Sequence, residues 1–241
     1  MKRFAAVVLL AAAIAAISAA ASARAGGSAS SSDPVVVVTK FPAAGELTVN
    51  SVIARRQPAP NASSIKVFHE FRPDYRRQEV LAVGSKIGTD GQPWYHVSVP
   101  MRPNGTYGWI PASAVDLKPT VAQIVVDVGS RTIDVFKRGK RVIHGVVAVG
   151  APGMETPLGH YYVAAAFNPV GDPFLGVWAL ETSAYSKLTD WPGGGVVGIH
   201  GTNAPYLLGK AVSHGCVRVS NTTAAGLKRL TPAGTPIWIK A

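Results

Sequence analysis

Short apolar runs separated by turn residues dominate the first half of the chain: residues 35–38, 46–53, 65–68, 80–83, 94–99 and 109–110. β-Branched and aromatic residues fill them, which suits a pleated, half-buried surface better than a helix face. Thr89-Asp90-Gly91-Gln92 and Pro103-Asn104-Gly105-Thr106 carry the Asp-Gly and Asn-Gly hairpin signals. After Pro119 the pattern becomes a meander with strands predicted over 123–128, 132–136 and 141–149, turning at Gly129-Ser130 and Arg138-Gly139-Lys140. A strand over 159–165 follows, and another over 196–199 runs directly into His200. Ser220 or Asn221 is placed to cap a short helix reaching Leu230, and 237–239 is the last strand. The pattern predicts an all-β chain with one β domain over 34–118 and a second over 119–241. Residues 167–195 match no pattern that assigns them an element.

The ends of the composition range fit that picture. Of 241 residues, 47% are hydrophobic, 15% are charged and one is cysteine, which excludes a disordered chain, a zinc cluster and a disulfide scaffold. Lys2 and Arg3 precede an apolar run over 4–17, and Ala21-Ser22-Ala23-Arg24-Ala25 offers two small-residue cleavage sites. This is the three-part form of a secretory signal peptide over 1–25, followed by a flexible Gly/Ser-rich leader over 26–33. The expected location is the periplasm or cell wall. Cleavage removes Lys2, Arg3 and Arg24 and lowers the formal charge from +11 to +8, still basic enough to favour an anionic surface. Basic residues do not interleave with aromatics, so nucleic acid is not an expected partner.

Export gives the single cysteine, Cys216, a different meaning. A free thiol in an oxidising compartment is open to mispairing, so its presence there suggests a role for the sulfur. It stands in Ser213-His214-Gly215-Cys216-Val217-Arg218, downstream of Gly198-Ile199-His200-Gly201-Thr202-Asn203. Thiol catalysis needs a sulfur that becomes thiolate, a nitrogen base within reach and backbone N–H donors for the oxyanion. His200, His214 and Arg218 are the candidate neighbours. His214 leaves on the same side as Cys216 if the stretch is extended. His200 approaches from a separate strand end and needs a carbonyl on its other nitrogen, since no Asp or Glu adjoins it. Gly215 permits a tight loop whose N–H groups converge. His69, His96, His144 and His160 read as ordinary strand residues, Arg55-Arg56 and Arg76-Arg77 as solvated pairs, and Trp178, Tyr185 and Trp191 as either cleft or packing aromatics.

The run His200-Gly201-Thr202 with Ser213-His214-Gly215-Cys216-Val217-Arg218 closely resembles the active-site signature of the L,D-transpeptidases, the YkuD-type peptidoglycan cross-linking enzymes. Val149-Gly150, Thr156-Pro157-Leu158-Gly159 and Gly234-Thr235-Pro236-Ile237-Trp238-Ile239 add to the likeness, which covers about 121–241. The resemblance implies a YkuD-type β-sandwich with Cys216 as nucleophile, His200 as base, the Gly201 carbonyl as its orienter and the His214–Cys216 loop, Gly215 included, as oxyanion hole. Ser213 and Arg218 are expected at the substrate, with Arg218 holding a carboxylate or bracing the loop. The implied reaction is acyl transfer from a peptidoglycan stem tetrapeptide through a thioester, with no cofactor and no metal, by a monomer open to covalent inhibition by carbapenems. Water in place of the acceptor amine makes the same acyl-enzyme an L,D-carboxypeptidase. A non-catalytic wall-binding protein is the rival class. Leu81-Ala82-Val83-Gly84, Trp94-Tyr95-His96-Val97 and the Asn-Gly turn leading into Gly108-Trp109-Ile110-Pro111 resemble a bacterial SH3-like domain over about 50–117, which implies a small barrel that meets wall polymer.

Overall fold

Period-two alternation sends one face of each strand into an apolar interior, and here it builds two main sheets. The computed structural model describes residues 37–190 and 192–241; the signal-peptide and leader segments and Trp191 lie outside them. The first sheet contains β1 (Ala43–Glu46), β2 (Ser51–Arg55), β3 (Ser64–His69), β4 (Glu79–Ile87), β5 (Pro93–Ser98), β6 (Tyr107–Pro111) and β7 (Lys118–Pro119). Its order is β3-β2-β6-β5-β4-β1-β7. The two hairpin signals fall where expected, with Gly91 and Gly105 at φ 72 and 78. Phe68, Val80, Tyr95, Val97 and Ile110 form the interior of this sheet.

The second sheet is built from β8 (Ala122–Asp127), β9 (Thr132–Lys137), β10 (Lys140–Val146), β12 (Gly159–Phe167), β13 (Ala179–Tyr185), β14 (Val196–His200), β16 (Val217–Arg218) and β17 (Pro236–Lys240). The short strands β11 (Val149–Gly150) and β15 (Ala211–Ser213) pair in parallel beside it. The sheet order is β10-β9-β8-β17-β12-β13-β14-β16, so β17 lies between β8, parallel to it, and β12, antiparallel to it. The helix α1 (Asn221–Leu230) begins as the sequence predicts: Ser220 Oγ accepts the Thr223 N–H at 3.0 Å. Its Ala224 and Leu227 enter the apolar cluster of Ile124, Val135, Leu180, Ile199 and Ile237.

Three sequence expectations change. The run 46–53 is two strands, because β1 pairs with β4 and β7 whereas β2 pairs with β3 and β6, and the chain bends over 48–50 to pass between them. The run 141–149 ends at Val146: Ala148 leaves β9 to exchange both backbone bonds with Arg218 at 2.9 Å. Val37 and Val38 are coil, with the Val38 N–H bonded to the Tyr95 hydroxyl at 2.7 Å. The unassigned stretch 167–195 supplies β13.

Strand β12 explains how the sheets meet. Tyr161 through Ala165 are all buried, which a one-sided sheet would not allow. Tyr161 and Val163 face the second sheet's core, while Tyr162 and Ala164 pack with Leu81 of β4. The Tyr162 hydroxyl donates to the Glu79 carbonyl at 3.2 Å. On β13, Glu181 pairs with both Arg72 and Arg76, and Arg76 also reaches Asp74. Arg77 pairs with Glu46 and Glu70, and Arg55 donates to the Ala62 carbonyl at 2.7 Å. These arginines are therefore not simply solvated pairs: carboxylates and carbonyls converge on them from neighbouring segments.

The Glu79 carboxyl sits at this junction, where burial, reinforced by Glu46, raises its pKa from 4.5 to about 7. The folded form then holds its proton more tightly than the unfolded chain, so the contribution to stability is full below about 4.5 and is lost as pH rises through 7. The change is at most about 3 kcal/mol, from roughly 1.4 kcal/mol per pKa unit. In urea unfolding, Glu79→Gln is expected to raise the midpoint above wild type at pH 8 and to match it near pH 4.5. An equal offset at both pH values would contradict this assignment.

Candidate active site

The site depends on two strand ends lying side by side. β14 ends at His200 and β16 starts at Val217, and they pair in parallel with Ile199 opposite Val217 and His200 opposite Arg218. This register brings Cys216 beside Gly198, whose N–H donates to the sulfur at 3.3 Å. A Cβ placed on Gly198 would stand 3.6 Å from His200 Cδ2 and 3.7 Å from Cys216 Sγ. Imidazole and sulfur thus approach a common point, which glycine leaves open between them.

His200 is 2% exposed, and its Nδ1 lies 2.6 Å from the Gly201 carbonyl oxygen. A carbonyl only accepts, so Nδ1 carries the proton and the neutral ring presents Nε2 as its basic nitrogen. The ring edge that bears Nε2 includes Cδ2, the atom that approaches Gly198. Gly201 is itself held, its N–H donating to the Trp178 carbonyl at 3.1 Å. Asn221 secures the rest of this turn: Oδ1 accepts from Thr202 N and Val177 N at 3.2 and 3.3 Å, and Nδ2 donates to the Thr202 carbonyl at 3.2 Å. A side chain at Gly201 or Gly176 would overlap Asn221 Oδ1.

The cysteine loop is bound from within. Ser213 Oγ donates to the Cys216 carbonyl at 2.6 Å and accepts the Gly215 N–H at 3.1 Å, while its residue is fully buried. Ser213 Oγ thus joins the two ends of the cysteine loop. Gly215 gives its N–H to Ser213 Oγ. Its φ of 113 is the conformation that requires glycine here. Its carbonyl accepts from Thr156 Oγ1 at 2.9 Å, and Thr156 in turn accepts the Gly150 N–H at 2.9 Å. His214 is half-buried.

Arg218 is 7% exposed, and its guanidinium lies over the Phe174 ring at 4.5 Å. The same ring stands 5.8 Å from that of His200, so Phe174 spans base and guanidinium. Arg218 Nε is buried without a hydrogen-bond partner. The electrostatics favour a neutral resting pair. Burial raises the Cys216 pKa, with the Gly198 N–H and Arg218 pulling it back. Burial also lowers that of His200, against the Gly201 hydrogen bond, with Arg218 lowering it further and Asp172 opposing.

The other histidines lie elsewhere: His144 pairs with Asp134 at 2.8 Å, His160 stacks on Trp238 and His96 stacks on Trp109. Trp178 packs against the second core beneath Lys228. Sequence reasoning missed Asn221 as more than a helix residue, and missed Thr156, Phe174 and Gly198 as parts of the site. Asn221 follows the cysteine by five positions, a spacing that carries no chemical signal until the helix start is folded back onto the His200 turn.

Residues 122–239 match the family model described as the L,D-transpeptidase catalytic domain, YkuD. The chain is similar to a candidate L,D-transpeptidase YkuD of Bacillus subtilis, 32% identical over 117 residues, which cover 48% of this chain and 64% of that protein. Its Bacillus licheniformis counterpart is 33% identical over 118 residues, with the same coverage. The match therefore spans a little under two thirds of these relatives. Among solved structures, L,D-transpeptidase 3 from Mycobacterium tuberculosis aligns over 81% of this chain and 99% of its own, at 15% identity and a TM-score of 0.45. In the family match and in both curated relatives alike, the similarity of residues 122–239 is to the YkuD-type L,D-transpeptidase catalytic domain.

Proposed function

We propose that the chain is an exported L,D-transpeptidase that cross-links peptidoglycan stems through a Cys216 thioester. The observation that carries this reading is the approach of His200 and Cys216 to one point, with the imidazole tautomer set by the Gly201 carbonyl. On substrate binding, His200 Nε2 takes the thiol proton and the sulfur attacks the carbonyl of the L-centred stem residue. The C–S bond forms, the oxyanion develops against the Cys216 N–H, and the C–N bond to the terminal D-residue breaks as His200 returns the proton to the leaving amine. An acceptor amine then attacks the thioester, loses a proton to His200, and releases the sulfur. Arg218 is assigned to the substrate carboxylate because its Nε is buried and unpartnered. Residues 50–117 are assigned to contact with wall polymer, on the strength of their SH3-like motifs.

Incubation of the mature protein with disaccharide tetrapeptides is expected to yield 3→3-linked dimer by mass spectrometry, and a carbapenem is expected to add to the intact protein. Cys216→Ala loses both; a wild-type protein that gives neither dimer nor shortened stem refutes the reading. Hydrolysed stem without dimer identifies the carboxypeptidase outcome.

The pH profile has a defined sign. Protonated His200 cannot accept the thiol proton, and its pKa is lowered from 6.5, so kcat/KM should hold through pH 6.5 and fall only below it. An acid limb centred above 6.5 would exclude His200 as the base. Asn221→Ala should lower kcat on the order of tenfold to a hundredfold by releasing the Gly201 turn, with KM little changed. An unaltered kcat would remove Asn221 from the site.

A further inference from the structure

The loop of residues 186–195 forms one side of the ground beside the nucleophile. Its neck is closed by the Ser186 N–H bonded to the Gly195 carbonyl at 2.8 Å. Ser186 is buried against the cysteine loop: a Cβ on Gly215 would stand 3.0 Å from Ser186 Cβ and 3.8 Å from the Glu155 carbonyl. Lys187 reaches Glu155 at 2.8 Å, tying this loop to the segment whose Thr156 holds the Gly215 carbonyl.

What fills the loop comes from the other sheet. Arg102, between β5 and β6, places Nη2 at 2.9 Å from the Ser186 carbonyl, 3.2 Å from Leu188 and 3.0 Å from Gly194. Three carbonyls around one guanidinium nitrogen set the loop's width. The same guanidinium lies over the Tyr185 ring at 4.7 Å. Two residues on, Asn104 Oδ1 accepts the Tyr185 N–H at 2.9 Å while its Nδ2 donates to the Tyr185 carbonyl at 2.7 Å, as a neighbouring strand would. Both residues sit in a hairpin whose Asn-Gly turn accounts for neither set of bonds. A domain tethered only for localisation would have no reason to donate into this loop.

We propose that Arg102 and Asn104 are positioning residues for the Cys216 reaction, through which the N-terminal sheet builds the substrate wall beside Gly215. The proposal rests on the transpeptidase reading for its kinetics but not for its structural readout. The wall shapes the space a stem peptide occupies next to the sulfur, so its loss acts first on peptide binding.

The full chain is compared with Arg102→Ala, Arg102→Lys and Asn104→Ala by hydrogen–deuterium exchange and by donor-tetrapeptide kinetics. Arg102 is exposed, so the variant is expected to fold with a melting curve close to wild type. Arg102→Ala should speed exchange in 186–195 and also in 213–217, and raise KM on the order of tenfold with a smaller change in kcat. Arg102→Lys, whose ammonium can donate to the same carbonyls, should recover much of both effects. Faster exchange confined to 186–195, or an unchanged KM in an active enzyme, overturns the proposal. If wild type turns over no peptide, the functional reading fails separately, and exchange at 213–217 alone decides this one.

Discussion

The chemistry depends on the register between β14 and β16. Side chains alternate along a strand, so a slip of one residue would turn Cys216 and His200 to opposite faces and dissolve the site without altering the core's composition. Much of the second sheet can be understood as a means of preventing that slip. Ala148 exchanges bonds with Arg218, the Val219 N–H is bonded to the His200 carbonyl, and β11 pairs with β15 just before the cysteine loop. The early end of β10 follows from the same need, because the chain must leave its neighbour to reach Arg218.

Within that register His200 is buried and Cys216 half-buried. Burial disfavours both the thiolate and the imidazolium, so the pair rests neutral. A neutral thiol is also less reactive toward stray electrophiles, since the thiolate is the nucleophile. Backbone groups perform much of the orienting: the Gly201 carbonyl sets the tautomer and the Gly198 N–H meets the sulfur. Such groups cannot be mutated away directly, which places the site's vulnerability in the side chains behind them, Asn221 and Thr156.

The strands with clean alternation, such as β8, β9 and β14, were legible in the sequence because their periodicity reflects one covered face. So were the two hairpin turns and the helix start at Ser220, where local chemistry decides the conformation. β13 was not legible, because Ala179-Leu180-Glu181-Thr182-Ser183-Ala184-Tyr185 places polar residues in the interior and meets their needs through distant partners, as when Thr182 donates to the Val197 carbonyl. Cys216, His200 and the Gly201 carbonyl stood out because their residue types and order resemble a known signature. Ser213 and Gly215 belong to the same signature, yet their hydrogen bonds turn inward, a distinction that only three-dimensional geometry makes. Arg102 and Asn104 gave no signal in sequence beyond a turn, since their partners lie more than eighty residues away.

The position of β17 has a consequence for how the chain acquires this structure. Ile124 must wait for Ile237 before its strand gains the parallel neighbour, and β12 waits for the same segment on its other side. Until then two apolar strand edges in the middle of the sheet have no partner, and closing them demands a contact of high sequence separation. Completing the middle of the second sheet therefore carries the loop-closure entropy of joining its first strand to the last segment of the chain.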